Sequence, residues 1–260
     1  MQKTSPSFLE TMAKDLDSAA LHTKPIDQLS LSNTFDEEQA YQIQRLSMEE
    51  RYNRGEKLIG LKLGFTSYAK MEQMGVHDMI WGRLTDTMLL NSGDSVSMQR
   101  FIHPRAEPEI CFRISQDINR EIDLDEVCDF VDGIAPAIEV IDSRYQNFKF
   151  SLEDVIADNC SSSAFVVGEW LPVGTSLKDL KMTLSIDNEV IETGSSADIL
   201  GDPWLSVVNA ARLGVKYNEP LKKGQYLMAG AATPAVFIKA GNHITAVVET
   251  LGSIEFKTSK

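Results

Sequence analysis

The stretch His103-Pro104-Arg105-Ala106-Glu107-Pro108-Glu109-Ile110-Cys111 alternates as an extended strand does. Successive side chains on a strand point to opposite faces. Glu107, Glu109 and Cys111 therefore share one face, and Ala106, Pro108 and Ile110 the other. Two carboxylates about 7 Å apart on one face repel each other unless they are solvated or bridged by a cation. Pro108 lacks an N–H, which predicts an edge of the sheet or the mouth of a site. Thirty residues on, Ile134-Ala-Pro-Ala-Ile-Glu-Val-Ile-Asp142 reads as a second strand, with Glu139 on the face of Ala135, Ala137 and Ile141. A lone Glu on an apolar strand face is costly to bury unpaired. Three carboxylates from two strands suit an all-oxygen Mg²⁺ or Mn²⁺ site. The same residues also suit a solvated acidic face plus one salt bridge.

Around these two strands the chain keeps a β-rich texture from residue 80 onward, with short apolar runs between Gly, Asp, Asn and Pro. Further strands are predicted at Thr87–Leu90, Ser163–Val167, Met182–Ile186, Glu189–Glu192, Tyr226–Met228, Ala235–Lys239, His243–Thr250 and Ser253–Phe256, with the first pair at Ala106–Ile114 and Ile134–Ile141. Asp187-Asn188 is a hairpin turn signal. Helices are predicted over 124–131, with Leu124, Val127 and Val131 buried, and from Asp202-Pro203 onward. Before residue 80 the pattern is helical: 5–22, then 35–54 behind a Thr34-x-x-Glu37 capping box and a stop at Gly55. A strand at Lys57–Phe65 and a short helix at Tyr68–Met74 follow. The predicted fold class is α+β, a helical N-terminal part (1–79) before a mainly antiparallel β-rich domain (80–260).

The chain has 260 residues, 43% hydrophobic and 24% charged, enough for a core without disulfides or metal staples. No apolar run approaches the roughly 20 residues of a membrane span. The N-terminal stretch carries acids early and does not read as a secretory signal. A net charge of −13 and no basic stripe argue against nucleic acid. An anionic small substrate would need local cations or a metal to reverse the field. Three unpatterned cysteines, Cys111, Cys128 and Cys160, read as free thiols of a reducing cytoplasm.

Other polar signals are weaker. Lys62 lies between Leu61 and Leu63, where a lysine commonly snorkels. Asp158-Asn159 suits an Asx turn as well as a site. Gly230-Ala-Ala-Thr233 suits close backbone approach to a ligand, or a tight turn. The four histidines show no metal-ligand spacing.

Several segments together resemble the fumarylacetoacetate-hydrolase superfamily, in its branch of 2-oxo-acid hydratases and 4-oxalocrotonate decarboxylases. They are GLKLGFTSYAKMEQMGV (60–76), IWGRLTD (80–86), HPRAEPEI (103–110), PAIEVIDSRYQNFKF (136–150), IADNCSS (156–162) and MAGAATPAV with GNHITAVVETLGSIEF (228–256). The resemblance implies a mixed β-sandwich roll flanked by helices and a divalent cation, Mg²⁺ or Mn²⁺, on Glu107, Glu109 and Glu139. It makes Lys62 the catalytic cation beside an enolate oxygen. It makes Leu61, Arg83, Arg144, Lys149, Asp158 and Thr233 substrate-binding candidates, the three cations for a distal carboxylate.

IWGRLTD and IDSRYQNFKF look like the decarboxylase pattern, because hydratases of the branch carry an acid where Ile80 stands. The implied activity is decarboxylation of 2-oxo-3-hexenedioate to 2-hydroxypenta-2,4-dienoate and CO₂ in catechol meta-cleavage. A hydratase acting on that dienoate, and a non-catalytic partner subunit of the hydratase, are the alternatives. The implied partners are a small 2-oxo dicarboxylate, further copies of the chain and the pathway hydratase. Asp202 and Ala229 depart from the family's usual His and Thr, and are expected at the pocket rim.

Overall fold

The computed structural model describes residues 7–67, 71–72, 76 and 78–260. α1 (Phe8–Leu21) begins at Ser7, whose hydroxyl accepts from the Glu10 N–H while the Glu10 carboxylate accepts from the Ser7 N–H. α2 (Glu37–Asn53) is capped likewise by Asp36 and Gln39, not by Thr34 and Glu37. Both pairs have capping spacing, and a carboxylate is the better acceptor for first-turn N–H groups. Gly55 ends the helix at φ +102°.

The strands are β1 (Leu58–Gly64), β2 (Ile80–Thr85), β3 (Leu89–Leu90), β4 (Ser95–Ser97), β5 (Arg105–Ile114), β6 (Val131–Ile141), β7 (Ser162–Val167), β8 (Lys181–Ile186), β9 (Glu189–Ser195), β10 (Tyr226–Met228), β11 (Val236–Phe237), β12 (His243–Val248) and β13 (Gly252–Ser259). α3 (Leu152–Ala157) precedes β7, and α4 (Trp204–Lys216) lies between β9 and β10. The large sheet runs β2-β1-β10-β5-β6-β7-β3, with β11 also paired to β5. The smaller runs β4-β13-β12-β8-β9. Most pairings are antiparallel; β1–β10, β3–β7 and β4–β13 are parallel.

One core lies between the sheets. Ala106, Ile138, Val140, Ala164 and Val166 of the large sheet meet Leu184, Ile244, Ala246, Ile254 and Phe256 of the small one. A second joins α1, α2 and α4 to the large sheet, with Phe112 against Trp204 at a 4.8 Å ring separation. The α+β class and the sandwich roll flanked by helices are thereby borne out. The 79/80 division runs through a single sheet, because β1 pairs with both β2 and β10.

Three local expectations change. Residues 124–131 form only a 3₁₀ turn at Val127–Asp129, and Leu124 is exposed. The Glu126 carboxylate is taken by the Asp123 N–H and by Arg120, which closes a loop instead of a helix. β2 shows no alternation because all six of its residues are buried, so period-2 reading passes over it. Pro108 lies on a central strand, not an edge, between Glu107 and Glu109 of the cavity lining, so of the two expectations only the edge is overturned. Its carbonyl accepts from Ala232 N–H in the gap that separates β10 from β11, and its ring nitrogen faces the same gap. No ladder bond is lost there. The Asp187-Asn188 hairpin has φ +53° and +69°, the backbone of a type I′ turn. The helix predicted at Tyr68–Met74 lies largely outside the described residues.

Candidate active site

β5 and β6 pair so that Glu107 faces Glu139 directly and Glu109 faces Ala137. Their register, set by long apolar strands, places like charges opposite each other, a destabilising arrangement by itself. One ligand oxygen from each of Glu107, Glu109 and Glu139 falls within 4.8 Å of the others. Glu109 is 1% exposed and Glu139 0%.

β1 brings Lys62 to the same place. The residue alternates with Leu61 and Leu63, which enter the apolar core, and is itself 4% exposed. Its Nζ lies 3.0 Å from Glu139 Oε2 and donates to the Cys160 carbonyl at 3.3 Å. Burial works against this charge, but Glu139, Glu109 and Glu107 outweigh it and hold the ammonium pKa above its usual value. Snorkelling is thus excluded. The Glu109 pKa is raised well above the carboxylate range, first by burial and then by Glu139.

The Glu109 Oε2 accepts from Gly230 N–H at 2.8 Å. Gly230 has φ +106°, and a Cβ there would stand 2.0 Å from Thr66 Oγ1, so the turn needs glycine. The other Glu109 oxygen and Glu139 Oε1 have no partner, and Glu139 Oε2 meets only the Lys62 ammonium. Orphaned buried carboxylate oxygens are costly. Three carboxylates and one ammonium sum to −2, so a divalent cation would neutralise these four side chains. Converging oxygens of this kind fit Mg²⁺ or Mn²⁺.

Lys62, Glu107 and Glu109 open into a cavity of about 190 Å³ lined also by Phe65, Thr66, Ser67, Ile80, Ile141, Phe148, Phe150, Val155, Cys160, Ser161 and Ala231. Drug-sized ligands occupy roughly 300–1,000 Å³, so this space suits a smaller metabolite. Phe65, Phe148, Cys160 and Ser161 have φ of +56°, +57°, +52° and +58°. Left-handed non-glycine residues are strained and gather at functional sites. The run at 159–161 is held down by side chains. The Asn159 amide bonds to both the N–H and the carbonyl of Arg83, and the Cys160 thiol donates to the Trp81 carbonyl at 3.0 Å. Burial pushes that thiol up to about 12, so Cys160 is no nucleophile at neutral pH.

The structure separates the other candidates. Leu61 is a core residue. Arg83 is 3% exposed and spent on the Glu219 carboxylate and the Gln44 side-chain amide oxygen Oε1. Arg144 is 3% exposed and donates to Asp158, to the Asp142 carbonyl at 2.6 Å and to the Ser162 carbonyl at 3.0 Å. Neither guanidinium lines the cavity; each braces the wall behind it. Asp158 is likewise consumed by Arg144, and burial lifts its carboxyl to about 6 against that cation's pull. Lys149 is exposed between cavity residues Phe148 and Phe150. Thr233 sits in a neighbouring depression that shares Ser67 and Ala231 with the cavity. Asp202 accepts from the Trp204 N–H at 3.0 Å and the Ala229 carbonyl from Ser206 Oγ at 2.8 Å, and among the described residues neither lines the cavity. The aromatic wall and Ser161, whose Oγ is buried without a hydrogen-bond partner, carry no spacing signal in the sequence.

The family model described as fumarylacetoacetate hydrolase C-terminal matches residues 66–258. A 4-oxalocrotonate decarboxylase from a Pseudomonas species is 45% identical over 251 residues, 96% of this chain and 98% of that one. A 2-keto-4-pentenoate hydratase from Paraburkholderia xenovorans is 31% identical over 264 residues, 98% of this chain and 97% of the other. A solved 4-oxalocrotonate decarboxylase from Pseudomonas putida, complexed with magnesium and adipate, superposes with a TM-score of 0.94 at 32% identity, covering 99% of this chain and 100% of that one. With its carboxylate cluster, its buried lysine and its rolled sheet, the chain belongs to the fumarylacetoacetate hydrolase family.

Proposed function

We propose that the protein is a metal-dependent carboxy-lyase converting 2-oxo-3-hexenedioate to 2-hydroxypenta-2,4-dienoate, or its tautomer 2-oxopent-4-enoate, and CO₂. The reading places it in the cytoplasm, in the meta-cleavage of aromatic compounds. Its main support is the cavity itself: Lys62, Glu107 and Glu109 line it, Glu139 belongs to the same carboxylate cluster, and Ile80, where the family resemblance puts an acid in hydratases, is an apolar part of its wall. The decarboxylase relatives, more similar than the hydratase, point the same way.

In the substrate the leaving carboxylate is a vinylogue of a β-keto acid's. The C5–C6 bond breaks, its electron pair moves through the C3–C4 double bond, and negative charge arrives on the 2-oxo oxygen. A Mg²⁺ or Mn²⁺ ion held by the three glutamates would supply a Lewis acid at that oxygen. Lys62 adds a fixed positive charge, held in place by Glu139 and the Cys160 carbonyl. Phe65, Ile80, Phe148, Phe150 and Val155 wall the space against water, which favours release of uncharged CO₂ over hydration.

The test is purified protein with Mg²⁺ and 2-oxo-3-hexenedioate, followed by CO₂ release and product absorbance. Hydration of 2-hydroxypentadienoate without decarboxylation of the dicarboxylate would give the assignment to the hydratase reading. Ile80→Asp is expected to slow decarboxylation by about tenfold or more, because a new anion opposes the charge that forms beside it. Unchanged turnover in that variant would remove Ile80 from the argument.

We also infer assembly into homo-oligomers, with or without the pathway hydratase. Phe237 and Val190, 58% and 56% exposed, are large apolar side chains suited to such contacts. Sedimentation velocity should show a species larger than one chain; a monomer at micromolar concentration would refute self-assembly.

A further inference from the structure

Arg105 begins the strand that carries Glu107 and Glu109, and strand alternation puts it on their face. Across β10, Lys62 is level with Met228 and Met228 with Cys111. Along that face of β5 the order is therefore Cys111, level with Lys62, then Glu109, Glu107 and Arg105. The carboxylate cluster stands between two cations. Arg105 lies two residues, about 7 Å, beyond Glu107. An extended six-carbon dicarboxylate separates its carboxyl carbons by roughly 6 Å.

Two neighbours tie Arg105 to the cavity. Its strand partner Ile141 lines it, and its guanidinium carbon lies 4.2 Å from the ring centre of Phe148, which also lines it. The ring contact uses none of the guanidinium N–H donors. Among the described residues Arg105 makes no ion pair or hydrogen bond through its side chain, unlike the saturated Arg83 and Arg144. A half-buried arginine with its donors unspent, packed on a cavity wall beyond an acidic cluster, fits a carboxylate.

We propose that Arg105, braced on Phe148, is the specificity residue for the second carboxylate of the substrate. The inference rests on reading the site as one for a 2-oxo dicarboxylate. That second carboxylate is the one lost as CO₂, so its bond to Arg105 exists in the bound substrate and fades as the charge moves toward the 2-oxo oxygen. Such a contact selects the dicarboxylate and strengthens substrate binding without speeding the chemical step.

The test compares adipate with hexanoate as ligands of the Mg²⁺-loaded protein by calorimetry. The wild type should prefer adipate by about tenfold or more. Arg105→Met should reduce that preference to about twofold or less, raise KM for 2-oxo-3-hexenedioate by about tenfold and leave kcat undiminished. Arg105→Gln, which keeps a polar chain of similar length, should do the same and carries the test if the Met variant fails to fold. An adipate preference that survives in either folded variant overturns the proposal, as does a fall in kcat with KM unchanged. The binding arm needs no turnover. Protein that binds adipate through Arg105 but releases no CO₂ would sink the decarboxylase reading alone.

Discussion

Lys62→Met is expected to lower kcat by about two orders of magnitude or more, with a much smaller change in KM. Loss of one preorganised partner for a developing oxyanion commonly costs 10²–10³-fold. Lys62 is buried, charged and fixed by two contacts, so it reorganises little as charge reaches the 2-oxo oxygen. Substrate binding falls less, because the carboxylate cluster and the apolar walls are untouched. The substitution also removes the charge that offsets Glu139, and breaking one side of a buried ion pair costs about 3–5 kcal/mol. Steady-state kinetics should therefore be run with saturating Mg²⁺ and with the melting temperature of each variant in hand. A folded Lys62→Met enzyme with wild-type kcat would reduce Lys62 to a structural counter-charge.

Much of this site is legible in the sequence alone. The alternation of Glu107 and Glu109 depends only on strand geometry, and Glu139 stands out because its strand neighbours are apolar. Their meeting point was not legible from spacing alone. It depends on the β5–β6 register that sets Glu107 against Glu139. Lys62 was ambiguous for a physical reason: a buried lysine and a snorkelling one share the same local sequence. The distinction rests on Glu139 and Cys160, 77 and 98 residues away along the chain. The arginines show the opposite failure. Arg83 and Arg144 sit in segments with a strong family resemblance, yet Arg83 spends its donors on Gln44 and Glu219 and Arg144 on Asp158 and backbone carbonyls around it. Arg105, inside the most informative stretch of all, makes no side-chain hydrogen bond or ion pair among the described residues. The left-handed backbone at Phe65, Phe148, Cys160 and Ser161 had no compositional mark, since glycine and asparagine are the usual signals for it.

Metal removal should abolish turnover, and Mg²⁺ or Mn²⁺ should restore it. The more discriminating result concerns stability. In metal-free protein Glu109 is an acid whose folded-state pKa is raised, by burial first and by Glu139 second. Such a group favours folding least when deprotonation is complete in both states. Its penalty therefore grows as pH rises from the ordinary carboxylate range toward the raised value, and is full above it. Glu109→Gln removes the penalty and keeps an oxygen for the Gly230 N–H. At neutral pH the metal-free variant should melt above metal-free wild type, and its stability should depend less on pH across that window. Binding to the folded state alone adds about 2.7 kcal/mol at a hundredfold excess over Kd, or roughly 5–10 °C for a chain of this size. Wild type should gain that increment with Mg²⁺. Glu109→Gln should gain far less, having lost one anionic ligand, so the order of melting temperatures reverses when the metal is added. Glu139→Gln should instead melt below wild type without metal, because it leaves the Lys62 ammonium buried without its counter-charge, and it too should gain less from Mg²⁺. If Glu109→Gln is less stable than wild type without metal yet gains equally from Mg²⁺, that carboxylate serves the fold and the ion binds elsewhere.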